Sequence, residues 1–316
     1  GSGSPFHIQL NSWTMFLDTA TIPDVESQYI KRSDCDTLFI VSNYQADKKA
    51  PENKVNDEHA LMRFEFLEAI IRCSAAKYGK GIATMDLAEA VEMLFMKNVL
   101  PSLTPYSSIW PNDFRETRLY TEECDDLFKK HSVLLKAIYS RYRLRPSGGG
   151  LRPKVLKLDG WQKLMDDACM CDSQFTLQDA TQCFMWSRMA VIDELKDFAR
   201  YECLTFIDFL EALGRVAELK FIPAASDLKN AGYENTLEWA IARDNGEGAD
   251  DNSVLFKPRE SCELMNAKTR PLYAKVELLL DLMFRRLFYD PSQPDLPYTK
   301  EAVLRMIRKI DKEMGS

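Results

Sequence analysis

Apolar residues recur along this chain at the 3.6-residue spacing of amphipathic helices. Between Glu65 and Lys77 they fall at Phe66, Leu67, Ile70, Ile71 and Ala75. That stripe predicts a helix with those side chains turned to a core. The same spacing predicts helices over Asp86–Met96, with Asp86 as N-cap, and over Thr121–Tyr142 as one long rod. It predicts others over Trp161–Ala168, Thr176–Met189, Phe209–Leu219, Leu237–Arg243, Leu272–Phe288 and Thr299–Lys312. Strand signals are confined to very short pieces such as Leu204-Thr-Phe206. The expected fold class is all-α.

The pattern also repeats. Phe66-Leu-Glu-Ala69 reappears 143 residues later as Phe209-Leu-Glu-Ala212. Trp13 matches Trp161 at an offset of 148, and Asp34–Ser42 matches Asp179–Ser187 at 145. Val133–Tyr139 matches Leu278–Phe284, again at 145. A period this long exceeds that of solenoid repeats, so it predicts two homologous helical domains, 6–145 and 154–314. Pro146, Gly148-Gly149-Gly150 and Pro153 mark the expected linker at 146–153. Residues 1–5 read as an expression scar. Asp244–Asn252 reads as an acidic, glycine-rich loop.

Each domain is expected to run helix, short polar loop, helix, then an extended triplet leading into the Phe-Leu-Glu-Ala helix. Leu204-Thr-Phe-Ile-Asp208-Phe209 and Leu61-Met-Arg-Phe-Glu65-Phe66 resemble the end of an EF-hand loop, and Phe175-Thr-Leu-Gln-Asp179-Ala180 is a third candidate. The resemblance implies paired helix-loop-helix units joined by a two-strand contact, with an acidic residue at loop position 12. Calcium chemistry does not carry over. An EF-hand takes oxygen ligands at positions 1, 3, 5, 9 and 12 and glycine at 6. Counting back from Asp208 puts Asp197, Ala199, Tyr201 and Thr205 at positions 1, 3, 5 and 9, with Glu202 at 6. Counting from Glu65 gives Lys54 and His59 at positions 1 and 6, and from Asp179 gives Ala168 and Met170 at 1 and 3. Asp290 and Glu301 bound one further twelve-residue stretch, but Pro291, Pro294 and Pro297 spoil its turn. They form the alternative metal pair. The expected cofactor is none.

Composition narrows the function classes. The net charge of −7 argues against a nucleic-acid surface, and no apolar run reaches the length of a membrane span. Eight cysteines spread over 316 residues fit buried thiols and a cytoplasmic setting. The close pair Cys169 and Cys171 is expected in the core. His7, His59 and His131 fit no metal spacing. Arg141, Arg143, Arg145, Arg152, Lys154 and Lys157 read as a solvated basic run. No Walker loop, nucleophile elbow or dinucleotide fingerprint occurs. Met93, Phe95 and Met96, with Met185, Trp186 and Met189, are stripes that either complete a core or line a groove for an amphipathic partner helix. The expected function is a non-enzymatic scaffold or adaptor that binds a protein partner without calcium. The chain is loosely similar to EF-hand-like proteins of the cytoskeleton and of cilia or flagella. A calcium sensor with an atypical site and an enzyme with an interdomain site are the alternatives.

Overall fold

In a computed structural model, the described residues are 4–23, 29–47, 49–50, 53, 55–79, 85–104, 110–143, 155–246, 255 and 270–288. They form an all-α fold. The linker at 146–153, most of the acidic loop, the helix expected at Thr299–Lys312, and Asp290, Glu301 and Cys262 lie outside them.

In chain order the first elements are β1 (Ile8–Gln9), α1 (Leu10–Thr19), α2 (Arg32–Ser42), β2 (Ala60–Leu61) and α3 (Arg63–Ser74). A π-helical turn at Ala75–Gly79 extends α3. Then come α4 (Leu87–Leu94), α5 (Leu100–Ser102), α6 (Pro111–Phe114) with a π-helical turn at Arg115–Leu119, α7 (Glu122–Lys130) and α8 (Ser132–Tyr142). Next are β3 (Leu156–Lys157), α9 (Leu158–Asp167), α10 (Leu177–Ser187), α11 (Phe198–Tyr201) and β4 (Cys203–Leu204). The last are α12 (Phe206–Leu219), α13 (Ala225–Asn230), α14 (Thr236–Asp244) and α15 (Leu272–Phe288).

The chain divides into two compact units. Unit 1 is Gly1–Ile109 with Val191–Tyr201, and unit 2 is Trp110–Ala190 with Glu202–Ser316. The division therefore falls before Trp110, ahead of the expected linker, and α6–α8 go with unit 2. The reason is local packing: α12 takes the side chains of Phe114, Arg115 and Tyr139.

In unit 1 the core gathers Trp13, Leu17, Ile22, Ile30, Phe39, Leu61, Ile70 and Leu94. The Trp13 indole Nε1 donates to Cys35 O at 3.3 Å, and Phe66 meets its ring edge-on at 6.0 Å. In unit 2 the Trp161 indole donates to Ala180 O at 2.8 Å, and Phe209 meets its ring edge-on at 6.2 Å. Among the described residues each unit holds one antiparallel two-strand contact, with Ile8 opposite Leu61 in one and Leu156 opposite Leu204 in the other. The strand contact expected before Asp179 is absent. Leu204 pairs instead with Leu156, just ahead of the Trp161 helix, because Phe175 is spent closing a turn onto the Asp172 carboxylate.

The helices α1 and α9 end alike. Thr21 (φ 48°) and Cys169 (φ 49°) take the left-handed conformation, and the following amides, of Ile22 and Met170, return to Leu17 O and Met165 O. That reversal satisfies carbonyls left open at a helix C-terminus. It also turns Cys169 to solvent, and the Cys169/Cys171 pair expected in the core lies outside it: Cys169 is exposed and Cys171 half-buried.

The rod expected over Thr121–Tyr142 is broken at His131 (φ −99°, ψ 4°). The break gives its halves separate partners. The His131 ring stacks near Phe284 of α15 at 5.7 Å. On α8, Tyr139 packs on Phe206 and Phe209 of α12 and donates to Leu204 O. By contrast, α15 keeps the bounds expected from its periodicity, and Asp86 caps α4 by accepting from Glu89 N at 2.8 Å.

Candidate functional site

The outward face of α3 departs from its expected pattern. Helix geometry puts residues three, four and seven apart on one face. The core side of α3 is Glu65, Ala69, Ile70 and Cys73. Phe64, Leu67 and Ile71 stand on the opposite side, with Leu67 50% exposed. The stripe expected to be buried is thus split, and Leu67 and Ile71 face solvent. The neighbouring α2 does the same: Ile40, Val41 and, just beyond its end, Tyr44 are exposed, Ile40 at 68% and Tyr44 at 76%.

Ile40, Val41, Tyr44 and Phe64 line a groove of about 610 Å³ between the two helices, with Glu65, Glu68 and Arg72 on its α3 side, and Leu67 and Ile71 stand outside its lining. A second depression, of about 580 Å³, shares Arg72 and continues past Leu38, Ala75 and Leu87. Arg72 is held by Glu68 and by Ser42 Oγ at 3.0 Å. The methionine-rich candidates are less exposed as groups. Met93 and Phe95 are half-buried and Met96 exposed in unit 1; Met185 and Trp186 are half-buried and Met189 exposed in unit 2. No sequence signal separated Leu67 and Ile71 from a core stripe, because the helical period is the same on either face.

Unit 2 carries a buried charged mesh on α12. Glu211 accepts from Arg115 Nε at 2.8 Å and from Arg215 Nη2 at 2.7 Å. Arg215, 1% exposed, stacks over the Phe114 ring at 4.4 Å. Burial lowers its pKa against the pull of Glu211. Glu218 takes Arg118 at 3.1 Å and Lys275 at 3.2 Å. These acids are matched by cations already in place, which is how buried charge is tolerated.

The carboxylates expected at loop position 12 work as helix caps. Glu65 accepts from Met62 N at 2.8 Å and from Asn56 Nδ2 at 2.6 Å. Burial raises its pKa against these hydrogen bonds. Asp208 accepts from Thr205 N and Oγ1, both at 2.8 Å. Asp179 does the same for Thr176. Asp208 and Asp179 form reciprocal capping boxes with Thr205 and Thr176, whereas Glu65 covers the Met62 amide in one direction only. Among the described residues, no group of three or more His, Cys, Asp or Glu is placed to hold a metal ion. No described helix is long and apolar enough to cross a membrane.

A lysine closes the turn after α1 in unit 1 and the turn after α9 in unit 2. Lys220 Nζ lies 2.5 Å from Asp172 Oδ2, and Arg243 Nη2 is 2.9 Å from the same oxygen. Burial lowers the Lys220 pKa against the pull of Asp172. Burial acts to raise the Asp172 pKa, but the Lys220 ammonium and the Phe175 amide outweigh it and hold the carboxyl below its usual range. In unit 1, Lys77 Nζ donates to Ile22 O at 2.6 Å and Thr21 O at 3.3 Å.

These features define an all-α chain in which, among the described residues, each unit pairs two strand–helix segments through one short strand contact. No family model, no curated protein and no solved structure matches the chain.

Proposed function

We propose that this chain is a non-enzymatic scaffold or adaptor that binds another protein through the outward α2–α3 face of unit 1, without calcium. In this reading the two units are duplicated EF-hand-like pairs. The duplication is supported by the equivalent tryptophan hydrogen bonds, strand contacts and left-handed helix ends at matching offsets. The observation that carries the function is the exposed apolar set Ile40, Tyr44, Phe64, Leu67 and Ile71 on α2 and α3, of which Ile40, Tyr44 and Phe64 line one groove. Clustered exposed apolar side chains of this kind mark protein-binding surfaces, because leaving them in water is unfavourable. Calcium independence is supported by the engagement of Glu65, Asp179 and Asp208 as helix caps. A cytoskeletal or ciliary setting rests on the sequence resemblance alone.

The test is quantitative co-purification from cells of the wild-type chain and of the double variant Leu67→Asp, Ile71→Asp. Both substitutions are on the surface, so thermal unfolding should match wild type. Loss of specific partners from the variant is the expected result. An unchanged partner set contradicts the reading.

A further inference from the structure

The offset-143 match pairs each position of α3 with one on α12, and the two helices differ in what covers them. On α12 the face formed by Glu211, Gly214 and Arg215 lies beneath Phe114, Arg115 and Leu119 of the α6 segment. Arg115 Nε reaches Glu211 Oε2 at 2.8 Å, and Phe114 lies on the Arg215 guanidinium. A side chain added at Gly214 would meet Leu119 Cδ1 at 3.1 Å and Phe114 Cζ at 3.5 Å, so the cover sits close.

The matched face on α3 is Glu68, Ile71 and Arg72. It keeps the same intrahelical pair, Glu68 with Arg72 as Glu211 with Arg215. Ile71 is exposed, and Glu68 and Arg72 are only partly covered. Of the four charged side chains that line the two depressions there, Glu65, Glu68 and Asp86 are acidic and Arg72 is basic, so the complementary charge is positive.

Building on the scaffold reading, we infer that the α3 face binds a partner-protein helix with the chemistry of the α6 segment. One arginine is set opposite Glu68, beside apolar residues that lie over Ile71, as Phe114 and Leu119 lie over Gly214. Glu68 accepts that arginine with the oxygen not used by Arg72, as Glu211 divides its two oxygens between Arg115 and Arg215. Ile71 stands where α12 has Gly214, so the occupant presents a residue smaller than Leu119 at that point. Ala75 stands where α12 has Glu218, so a second arginine, the counterpart of Arg118, has no acid to meet.

The probe is a fluorescein-labelled, helix-stapled peptide of residues 110–120 with Leu119→Ala, titrated into the purified full chain and read by anisotropy. Saturable binding is expected. Glu68→Arg should weaken it by about tenfold, the scale of one charge-assisted contact, and an Arg115→Glu peptide should recover affinity for that variant. Circular dichroism melts confirm that Glu68→Arg folds.

Absence of binding overturns the inference. So does binding that Glu68→Arg and Ile71→Asp leave unchanged, which reports exchange onto α12. A dimer in sedimentation that Glu68→Arg dissolves names a second copy as the occupant and overturns it too. If partners still depend on Leu67 and Ile71 in cells while the peptide fails, the scaffold reading stands and only the arginine-helix inference falls.

Discussion

Lys220 and Asp172 form a largely buried ion pair, Nζ to Oδ2 2.5 Å, that ties the end of α12 to the turn between α9 and α10. The lysine 143 positions earlier, Lys77, ties the π-helical end of α3 to the turn after α1, donating to the Thr21 and Ile22 carbonyls. The same position thus anchors a turn in both units, and in unit 2 a carboxylate receives it.

Removing Lys220 should therefore be costly. Lys220→Met strips the half-buried Asp172 carboxylate of its nearest cation and leaves it Arg243 alone of the two, a change of about 2 kcal/mol. Urea unfolding of the variant measures the loss, and stability equal to wild type would contradict the assignment.

The same pair sets an acid dependence. Asp172 is held below its ordinary carboxyl pKa in the folded state. Its contribution is therefore present above the unfolded pKa of about 3.9 and is lost as pH falls through the folded value. Melting temperatures recorded from pH 7 down to pH 3 should fall more steeply for wild type than for Asp172→Asn, which starts lower and lacks this titration.

Gly160 marks a close crossing. A Cβ there would lie 2.5 Å from Tyr142 O, a backbone atom, and 2.9 Å from Leu156 Cδ1. Gly160→Ala should destabilise the chain by about 2 kcal/mol, in the range of overpacking. Gly79→Ala meets nothing within 4 Å and should be neutral or slightly stabilising. Paired denaturant melts decide this.

Calcium should leave the melting temperature where a chelator leaves it, because a metal that binds only the folded state would raise it. Asp208→Ala should cost about 1 kcal/mol in either condition, as the loss of a helix cap does. A calcium-dependent rise would revive the sensor alternative.

Apolar periodicity alone set the bounds of α15 and placed α4, with Asp86 at its start, because long regular stripes and capping residues act locally. The duplicated Phe-Leu-Glu-Ala phrase led to both strand contacts, yet it named Phe175 as a strand partner where Leu156 serves. Strand pairing is settled by long-range packing, which local spacing does not encode. The same limit hid the α3 face. Leu67 and Ile71 carry a core-like period, and only the placement of Ala69, Ile70 and Cys73 against Trp13, Leu94 and their neighbours fixes which side is covered. The short α6 segment, four residues and a π-helical turn, offered too little periodicity to be read at all.

The scaffold account is tested most directly by site-specific photocrosslinking in cells. A photoreactive residue is placed at Leu67, at Tyr44 and, as a control, at Glu92, an exposed polar position on α4. The account predicts that Leu67 and Tyr44 capture the same partner protein and that Glu92 does not. Equal capture at all three positions, or none at Leu67 and Tyr44, would contradict it.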